Sequence, residues 1–241
     1  MKVSVVTTFS DAGFQEYGKN FIESCKKFLS KDITVYAYVD TILLESQENF
    51  VIRNLEDSIP DLTIFKNKNK HINPTSFLQD AVRFSHKSYC LYHAVNNCNS
   101  DLLFWLDADT EIYNNIDVDY LCKFLPTDCF TSYLGRSNYS ETGFLGFNLK
   151  HPALKEYFDL FKWYYDSNEI YNLEGQLDCH VYDATRLKLE KVQTIKSYNL
   201  SPQDVTKHHF NHVFSGFMIH YKGNRKEKRN SQLAKMLERK T

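Results

Sequence analysis

The chain has 241 residues, of which 42% are hydrophobic and 24% are charged, as expected for a globular protein with its own core. A formal net charge of −1 at pH 7 argues against binding of nucleic acid or another polyanion through overall charge. The six cysteines form no Cys-x-x-Cys pair, so reduced, mostly buried thiols and a cytoplasmic location are expected rather than a zinc site or disulfides.

The first half of the sequence alternates strand and helix signals. The opening run "KVSVVTTF" predicts a buried strand and is too short for a signal peptide or a membrane span. Helices are predicted at "FQEYGKNFIESCKKFL" and "FLQDAVRFSHKSYCLYHAVNNC", and further strands at "ITVYAYVD", "DLTIFKN" and "DLLFWLDADTEIY". Such alternation indicates parallel βαβ units, whose ligands bind at the carboxyl ends of the strands. Polar residues at those ends are Thr7, Thr8, Asp40, Asp107 and Asp109.

After Pro126 the predicted elements are shorter. Strands are predicted at "CFTSYLG", "ETGFLGFNLK" and "VYDATRLKLEKVQTI", with a helix at "PALKEYFDLFKWYYDSNEI". Because no Gly/Ser-rich linker interrupts the chain, we expect a single α/β domain over residues 1–241. The tail, residues 222–241, is basic; it is interpreted as a solvated end, with contact to a membrane surface or to phosphate as the alternative.

Asp107 and Asp109 are separated by one residue at the end of the apolar strand "LLFWL". Two adjacent carboxylates repel each other unless a cation lies between them. Carboxylate oxygens are the ligands preferred by Mg²⁺ and suit Mn²⁺. The alternative is that one acid caps the next turn and the other is solvated. The preceding strand favours the metal site because it places both acids at the ligand-binding edge.

A second candidate segment is "FMIHYKGNRK". His220 follows an apolar run and is a suitable third ligand for Mn²⁺, although a lone histidine is more often structural. Lys222 could neutralise a phosphate, and Gly223 would let the backbone approach a ligand closely. The nearby "HHFNH" has no acidic residue at metal-ligand spacing, so its three histidines are expected to be structural.

These segments resemble a known family. "FWLDADTEIY" is similar to the DxD segment of GT-A nucleotide-sugar glycosyltransferases, and "HYKGNRK" to the late His-x-Lys-Gly segment of their glycogenin-like and galactosyltransferase-like members. The resemblance implies a Rossmann-like fold with a mostly parallel central sheet flanked by helices. It also implies that Asp107, Asp109 and His220 hold Mn²⁺ (or Mg²⁺) against the diphosphate of a donor sugar, more often UDP-linked than GDP-linked, and that Lys222 contacts phosphate.

Further donor contacts follow from the same resemblance. The segment after the first strand corresponds to the base and ribose site, and Asp40 could accept a hydrogen bond from the base. Arg83 is expected to neutralise phosphate or orient the DxD acids, and Lys87 lies one turn further along the same helix face. The residues expected to contact the donor are Thr7, Thr8, Phe9, Asp40, Arg83, Lys87, Asp107, Ala108, Lys222 and Gly223.

The second half resembles the acceptor side of these enzymes. "ETGFLGFN" is similar to a loop where the backbone approaches the sugar. "NLEGQLDCHVYD" is similar to a later acidic segment that often reads Asp-Gln-Asp; here it contains Gln176 and Asp178, the candidate catalytic residues. Asp178 is either the base for the acceptor hydroxyl, a ligand of a sugar hydroxyl, or the N-cap of a helix. Residues of about 1–125 would bind the nucleotide sugar and those of about 126–221 the acceptor.

The predicted activity is therefore metal-dependent hexosyl transfer from a nucleoside-diphosphate sugar to a hydroxyl of a glycan, a protein or a small molecule. The His-x-Lys-Gly likeness favours retention at the anomeric carbon. A sugar-phosphate nucleotidyltransferase is the second candidate, although the glycine-rich basic loop typical of such enzymes is missing after the first strand. A non-catalytic nucleotide-sugar or carbohydrate-binding module of the same fold is the third. Neither a nucleic-acid partner nor a transmembrane segment is expected.

Overall fold

A computed structural model describes residues 1–201 and 208–221 of the chain. The predicted phosphate contact Lys222, its neighbour Gly223 and the basic tail 222–241 lie outside the described residues.

The centre of the fold is a seven-stranded sheet with the order β3-β2-β1-β4-β7-β6-β8. Its strands are β1 (Val3–Phe9), β2 (Ile33–Val39), β3 (Phe50–Asn54), β4 (Leu102–Leu106), β6 (Thr131–Leu134), β7 (Glu141–Asn148) and β8 (Ser197–Asn199). Only β7 runs against the others: it pairs antiparallel with β4 and β6, whereas the other neighbouring strands are parallel. A short separate sheet joins β5 (Thr110–Ile112) to β9 (Met218–His220) in antiparallel fashion.

Helices connect and flank the strands. They are α1 (Asp11–Gly13), α2 (Lys19–Phe28), α3 (Leu55–Ser58), α4 (Pro60–Asn69), α5 (Ala81–Asn97), α6 (Val118–Cys122), α7 (Ala153–Asp166), α8 (Asp178–Val192) and α9 (His209–Val213). A π-helical segment at Phe14–Gly18 joins α1 to α2, and single 3-10 turns lie at Phe77–Gln79 and Glu169–Asn172. The mixed α/β architecture with a mostly parallel central sheet confirms the predicted fold class.

Two predicted strands are wrong, because both segments are helical. "DLTIFKN" belongs to α4, which begins with Pro60 at its first position, where the missing N–H is not needed. "VYDATRLKLEKV" belongs to α8, whose buried residues include Val181, Tyr182, Thr185 and Leu189. These residues recur at helical spacing, and burial of that face stabilises a helix over a segment whose local sequence is ambiguous. The third strand is instead Phe50–Asn54.

Both faces of the sheet are buried, which explains the continuous apolar runs in its strands. Val5, Val35 and Phe104 contribute to one apolar cluster with α2. Val6, Leu103 and Trp105 contribute to the other with α5, α7 and α8. The six cysteines are all free thiols and four of them are buried, as expected from their spacing. No helix within residues 1–201 and 208–221 is long and apolar enough to cross a membrane.

Phe144 on β7 allows a test of the core around the β4–β7 pair. Its side chain is fully buried, and its ring lies 5.5 Å from that of Phe104 and 4.6 Å from that of Phe214. We expect Phe144→Ala to lower the free energy of unfolding by about 3–5 kcal/mol, because it removes these contacts and leaves a cavity. Urea unfolding measures the change. Trp163→Ala, at a 44% exposed aromatic residue, is the control; an equal loss in both variants would contradict this account of the core.

Candidate active site

Asp107 and Asp109 lie in a tight turn directly after β4. The Asp107 N–H donates to the Gly143 carbonyl over 3.0 Å, and the Thr110 N–H donates to the Asp107 carbonyl over 3.0 Å. The chain then enters β5, where Thr110 pairs with His220 of β9. The Tyr221 N–H donates to the Asp109 carbonyl over 2.9 Å. The backbone of the turn is therefore held on both sides, and His220 is brought next to the two aspartates.

The His220 imidazole faces both carboxylates. Its Nε2 lies 2.8 Å from Asp109 Oδ1 and 3.7 Å from Asp107 Oδ2, and the side chain is 2% exposed. Asn211 holds the backbone of His220, accepting from its N–H over 2.7 Å and donating to its carbonyl over 3.2 Å. A Cβ on Gly143 would lie 2.7 Å from the imidazole Cε1, so glycine is needed there for His220 to approach the turn.

The charges around His220 favour a cation. Burial lowers the pKa of His220, but the nearby Asp109, and then Asp107, outweigh it, so the pKa is raised above its ordinary value. The Lys87 ammonium contacts Asp107 and Asp178, while His220 Nε2 lies nearest to Asp109. A cation shared by Asp107, Asp109 and His220 would relieve the repulsion between the two carboxylates.

Asp107, Asp109 and His220 fit a divalent metal ion. One ligand atom from each lies within 4.8 Å of the other two, so small side-chain movements bring all three to coordinating distance. Two carboxylate oxygens with one imidazole nitrogen suit Mn²⁺ better than Mg²⁺, which prefers oxygen ligands alone. The geometry therefore gathers the three residues that the sequence pattern proposed as metal ligands.

Lys87 of α5 lies beneath the aspartate turn and joins it to α8. Its Nζ is 3.0 Å from Asp107 Oδ1 and 2.9 Å from Asp178 Oδ2, and it also donates to the Thr142 carbonyl. Burial lowers the pKa of Lys87, but Asp107 and Asp178 outweigh it and raise the pKa above its ordinary value. Lys87 is therefore a permanent cation. It holds Asp107 together with Trp105, whose Nε1 donates to Asp107 Oδ1 over 2.6 Å.

A cleft of about 370 Å³ opens above this cluster at the carboxyl ends of β1, β2 and β4. Its size suits a small ligand. Nine of the residues proposed from the sequence line it: Thr8, Phe9, Asp40, Arg83, Lys87, Asp107, Ala108, Asp109 and Asp178. His220 is buried behind the aspartates. The cleft therefore unites most of the proposed site, which comes from four different strand–helix units.

Two proposed residues lie away from the cleft. The Thr7 side chain is fully buried, because alternation along β1 turns it to the opposite side of the strand from Thr8. Gln176 is not among the described residues that line the cleft; its N–H donates to the Leu78 carbonyl over 2.7 Å. Arg83 lines the cleft but lies over the rings of Phe77 and Phe84, at 5.5 and 5.7 Å. It is Lys87 that contacts Asp107.

The two glycines of "ETGFLGFN" serve the protein's own packing. The segment is the buried strand β7 and not a loop. Gly143 makes room for His220, and a Cβ on Gly146 would lie 2.9 Å from the Phe104 ring.

Several residues of the site carry no clear signal in the sequence. Tyr17 lines the cleft; burial first, and then the charge of Asp109, raises its pKa to about 12. Thr142 donates to Asp178 Oδ2 over 2.6 Å. His208 of "HHFNH" does have an acidic neighbour: its Nε2 lies 3.7 Å from Glu141, and its ring centroid is 5.3 Å from that of His220. The local sequence around these histidines did not show this acid, because Glu141 belongs to β7 and lies far away in the sequence.

Comparison with known proteins places this arrangement in context. No protein-family model matches the sequence, and no curated protein matches it. Among solved structures, mouse xyloside xylosyltransferase 1 is similar with a TM-score of 0.55 at 11% identity, over 93% of this chain and 98% of that one. A glycosyltransferase involved in glycosylation of the major capsid of PBCV-1 has a TM-score of 0.54 at 10% identity, over 97% and 99%. The bifunctional glycosyltransferase WbbM has a TM-score of 0.55 at 14% identity, over 92% of this chain but 46% of its own.

The chain has the fold of GT-A glycosyltransferases. This confirms the expected fold over nearly the whole chain, while the roles assigned to the two motifs stay predictions. At 10–14% identity the likeness concerns the fold and not the donor, the metal or the mechanism.

The raised pKa of His220 predicts how the stability of the metal-free protein depends on pH. Because the folded state keeps the His220 proton longer than the unfolded state, this histidine stabilises the fold fully below about pH 6.5, the ordinary value for histidine. Its contribution is lost as the pH rises through the pKa of the folded protein. We expect His220→Gln to reduce the loss of unfolding free energy with rising pH. Urea unfolding at stepped pH in EDTA measures it, with the exposed His71→Gln as control. An unchanged pH dependence in His220→Gln would refute the ion pair.

Proposed function

We propose that this protein is a metal-dependent glycosyltransferase that moves a sugar from a nucleoside-diphosphate sugar to an acceptor hydroxyl. The observation that carries the proposal is the meeting of Asp107, Asp109 and His220 at the edge of a nucleotide-sized cleft, on a fold shared with glycosyltransferases. A UDP-sugar is the proposed donor and Mn²⁺ the proposed metal, in keeping with the DxD and His-x-Lys-Gly segments.

The donor would lie along the cleft with its diphosphate at the metal ligands. A bound Mn²⁺ supplies positive charge that stabilises the leaving diphosphate. Thr8, Phe9 and Asp40 lie at the ends of β1 and β2, where the base and ribose would bind. Arg83 is the guanidinium in the cleft that could meet a phosphate. Lys222 and Gly223 remain proposed phosphate contacts from the sequence pattern.

Lys87 would act on the site's own acids rather than contact the donor directly, as the sequence suggested. Its ammonium is buried, and two carboxylates and a carbonyl occupy it. It orients Asp107 for the metal and keeps Asp178 at the floor of the cleft. Because the same ammonium contacts both acids, a substitution at either acid changes the electrostatic environment of the other.

Asp178 is the proposed acid nearest to the transferred sugar, and Gln176 stays a weaker candidate because it lies away from the cleft. Oδ2 of Asp178 is engaged by Lys87 and Thr142, while no described residue hydrogen-bonds its Oδ1. Oδ1 could therefore accept a hydrogen bond from a hydroxyl group of the donor or acceptor sugar. Asp178 is also the first residue of α8 and does not cap it, since Leu177 holds that position. An acid held in this way supports a sugar-binding role, and with it retention, over a base that activates the acceptor.

One assay distinguishes the proposed transferase from the two alternative functions, a nucleotidyltransferase and a non-catalytic binding module. The protein is incubated with Mn²⁺ and a panel of nucleotide sugars, with and without inorganic pyrophosphate, and the products are analysed by mass spectrometry. Release of a nucleoside diphosphate with transfer to water or to an acceptor supports the proposal. Pyrophosphorolysis to a nucleoside triphosphate would indicate a nucleotidyltransferase. Tight binding without turnover would indicate a carbohydrate- or nucleotide-binding module.

Removal of one metal ligand tests the metal centre. We expect Asp109→Ala to weaken Mn²⁺ binding at least about tenfold, since it removes a carboxylate from a three-residue site. The stabilisation of the fold by a nucleotide sugar should lose its dependence on Mn²⁺. Isothermal titration with Mn²⁺ and thermal unfolding measure both effects. Asp119→Ala, an exposed acid outside the cleft, is the control. Mn²⁺ affinity equal to that of the unmodified protein would reject the assignment of Asp109.

A second variant tests Asp178. We expect Asp178→Asn to reduce the rate of transfer at least about tenfold through loss of a charged hydrogen-bond acceptor, and to change the dissociation constants for donor and Mn²⁺ less than this, because Asp178 is linked to Asp107 through Lys87. Steady-state kinetics and donor titration separate the two quantities. Asp159→Asn, on the exposed side of α7, is the control. A normal rate in Asp178→Asn would remove this residue from the reaction.

A further inference from the structure

A second cleft of about 570 Å³ lies beyond β7 on the same edge of the sheet. β4 and β6 both run antiparallel to β7, so they end at the same edge of the sheet. The turn at residues 135–140 follows β6 and therefore lies at the edge where the aspartate turn follows β4. This turn forms one wall. The outer face of α8, with Asp183 and Arg186, forms another, and Asn199 with Ser201 closes the far side.

The two clefts are neighbours, because β7 is attached to α8 twice. Thr142 donates to Asp178 in the first cleft over 2.6 Å. Ser140 donates to Asp183 in the second cleft, with its N–H over 2.7 Å and its hydroxyl over 2.6 Å. Asp178 and Asp183 are five residues apart on one helix, a rise of about 7.5 Å. A ligand of saccharide size in the second cleft could therefore extend a hydroxyl to the first.

The positive charges of the second cleft are already neutralised. Arg136 forms an ion pair with Glu141 over 3.0 Å and donates to the carbonyls of Tyr139 and Ser140. Arg186 forms ion pairs with Asp183 over 3.1 Å and Glu190 over 2.9 Å. An anionic ligand would have to break these pairs, so the described residues of this cleft favour an uncharged one.

His209 adds no charge to the cleft near neutral pH. Burial, and then the charge of Arg136, lowers its pKa below the ordinary value.

The remaining groups suit sugar hydroxyls. Ser137 and Asn138 are exposed at the tip of the turn. Asn199 Oδ1 accepts from the N–H groups of Gly135 and Ser201, and its Nδ2 donates to no described residue. Tyrosine rings and a leucine side chain provide apolar surface between these polar groups, from Tyr133, Tyr139 and the 47% exposed Leu187. Sugars bind through this combination of hydroxyl- or amide-bearing side chains and aromatic rings.

We propose that the cleft formed by the 135–140 turn, α8 and Asn199 binds an uncharged oligosaccharide, which is the acceptor of the transferred sugar. The acceptor role rests on the proposed function, whereas the binding of a neutral glycan rests on this cleft alone. Recognition would use hydroxyl hydrogen bonds to Ser137, Asn138 and Asn199, beside the exposed apolar surface of Leu187.

A printed glycan array with neutral, sialylated, sulfated and phosphorylated oligosaccharides tests the proposal on the full chain, without nucleotide or metal. We expect selective binding to neutral glycans. In Ser137→Trp, where an indole fills the cleft, isothermal titration with the strongest glycan should show affinity at least about tenfold lower. Asn138→Ala should also lower the glycan affinity. It keeps the proposal testable if circular dichroism shows that the tryptophan in Ser137→Trp perturbs folding.

Asn96→Trp is the matched control. Asn96 is an exposed residue near the end of α5, just before β4 begins, and so lies at the opposite edge of the sheet; its glycan affinity should equal that of the unmodified protein. No binding on the array, binding to anionic glycans alone, or equal affinity in Ser137→Trp and Asn96→Trp would each overturn the proposal.

Nucleotide-sugar binding by the unmodified protein with Mn²⁺, measured in parallel, separates this inference from the proposed function. Donor binding without glycan binding would reject the second cleft and leave the transferase standing. Glycan binding that depends on Ser137, without binding of any nucleotide sugar, would reject the transferase and leave a carbohydrate-binding cleft.

Discussion

The buried ammonium of Lys87 is the interaction on which the arrangement of the site depends. An ion removed from water is tolerated only when its partners are well placed, and Lys87 takes its partners from three elements: Asp107 after β4, Thr142 on β7 and Asp178 on α8. Lys87 thereby links the aspartate turn to α8, next to the β4–β7 pair that already joins the two halves of the chain. The position of the aspartate turn and that of the proposed sugar-binding acid are therefore coupled.

The proposed metal ligands depend on a second constraint, the short antiparallel pair of β5 and β9. Three residues of each strand are enough to set Thr110 opposite His220, and this places an imidazole from the end of the described chain beside the aspartates of its middle. Asn211 and Gly143 complete the constraint, one by holding the backbone of His220 and the other by leaving space for its ring. The backbone therefore fixes the relative positions of the three proposed ligands.

The two clefts lie on either side of the start of β7 and are both lined by residues of α8, and their charged residues differ. The first gathers Asp107, Asp109 and Asp178 around Lys87, whereas in the second Arg136 and Arg186 are paired with acids. This difference separates a cleft suited to a cation and a diphosphate from one suited to a neutral ligand. It also gives the single antiparallel strand of the central sheet a functional meaning, because reversal of β7 brings its first residues, and not its last, to the ligand-binding edge.

Local patterns were sufficient for the elements with strong periodicity and for the residues at strand ends. β1, β2, β4 and α5 could be predicted because apolar runs and helical spacing are properties of neighbouring residues. The segments 61–67 and 181–195 could not, because their strand-like composition was overridden by packing of one helical face against the sheet. Thr7 shows the same limit on a smaller scale: its place at a strand end was correct, but the side of the strand to which it points was decided by the pairing of β1.

The sequence by itself determined that the chain forms an α/β fold with carboxylates at the carboxyl end of a buried strand, and that a late histidine was available as a third ligand. These are consequences of residue type and short-range spacing. Only the tertiary structure decided that Lys87 and not Arg83 contacts the aspartates, that Glu141 lies against His208, that Gln176 stays outside the cleft, and that a second cleft exists. Each of these depends on contacts between residues far apart in the chain, and the strand order and helix packing that create such contacts are not encoded in any local pattern.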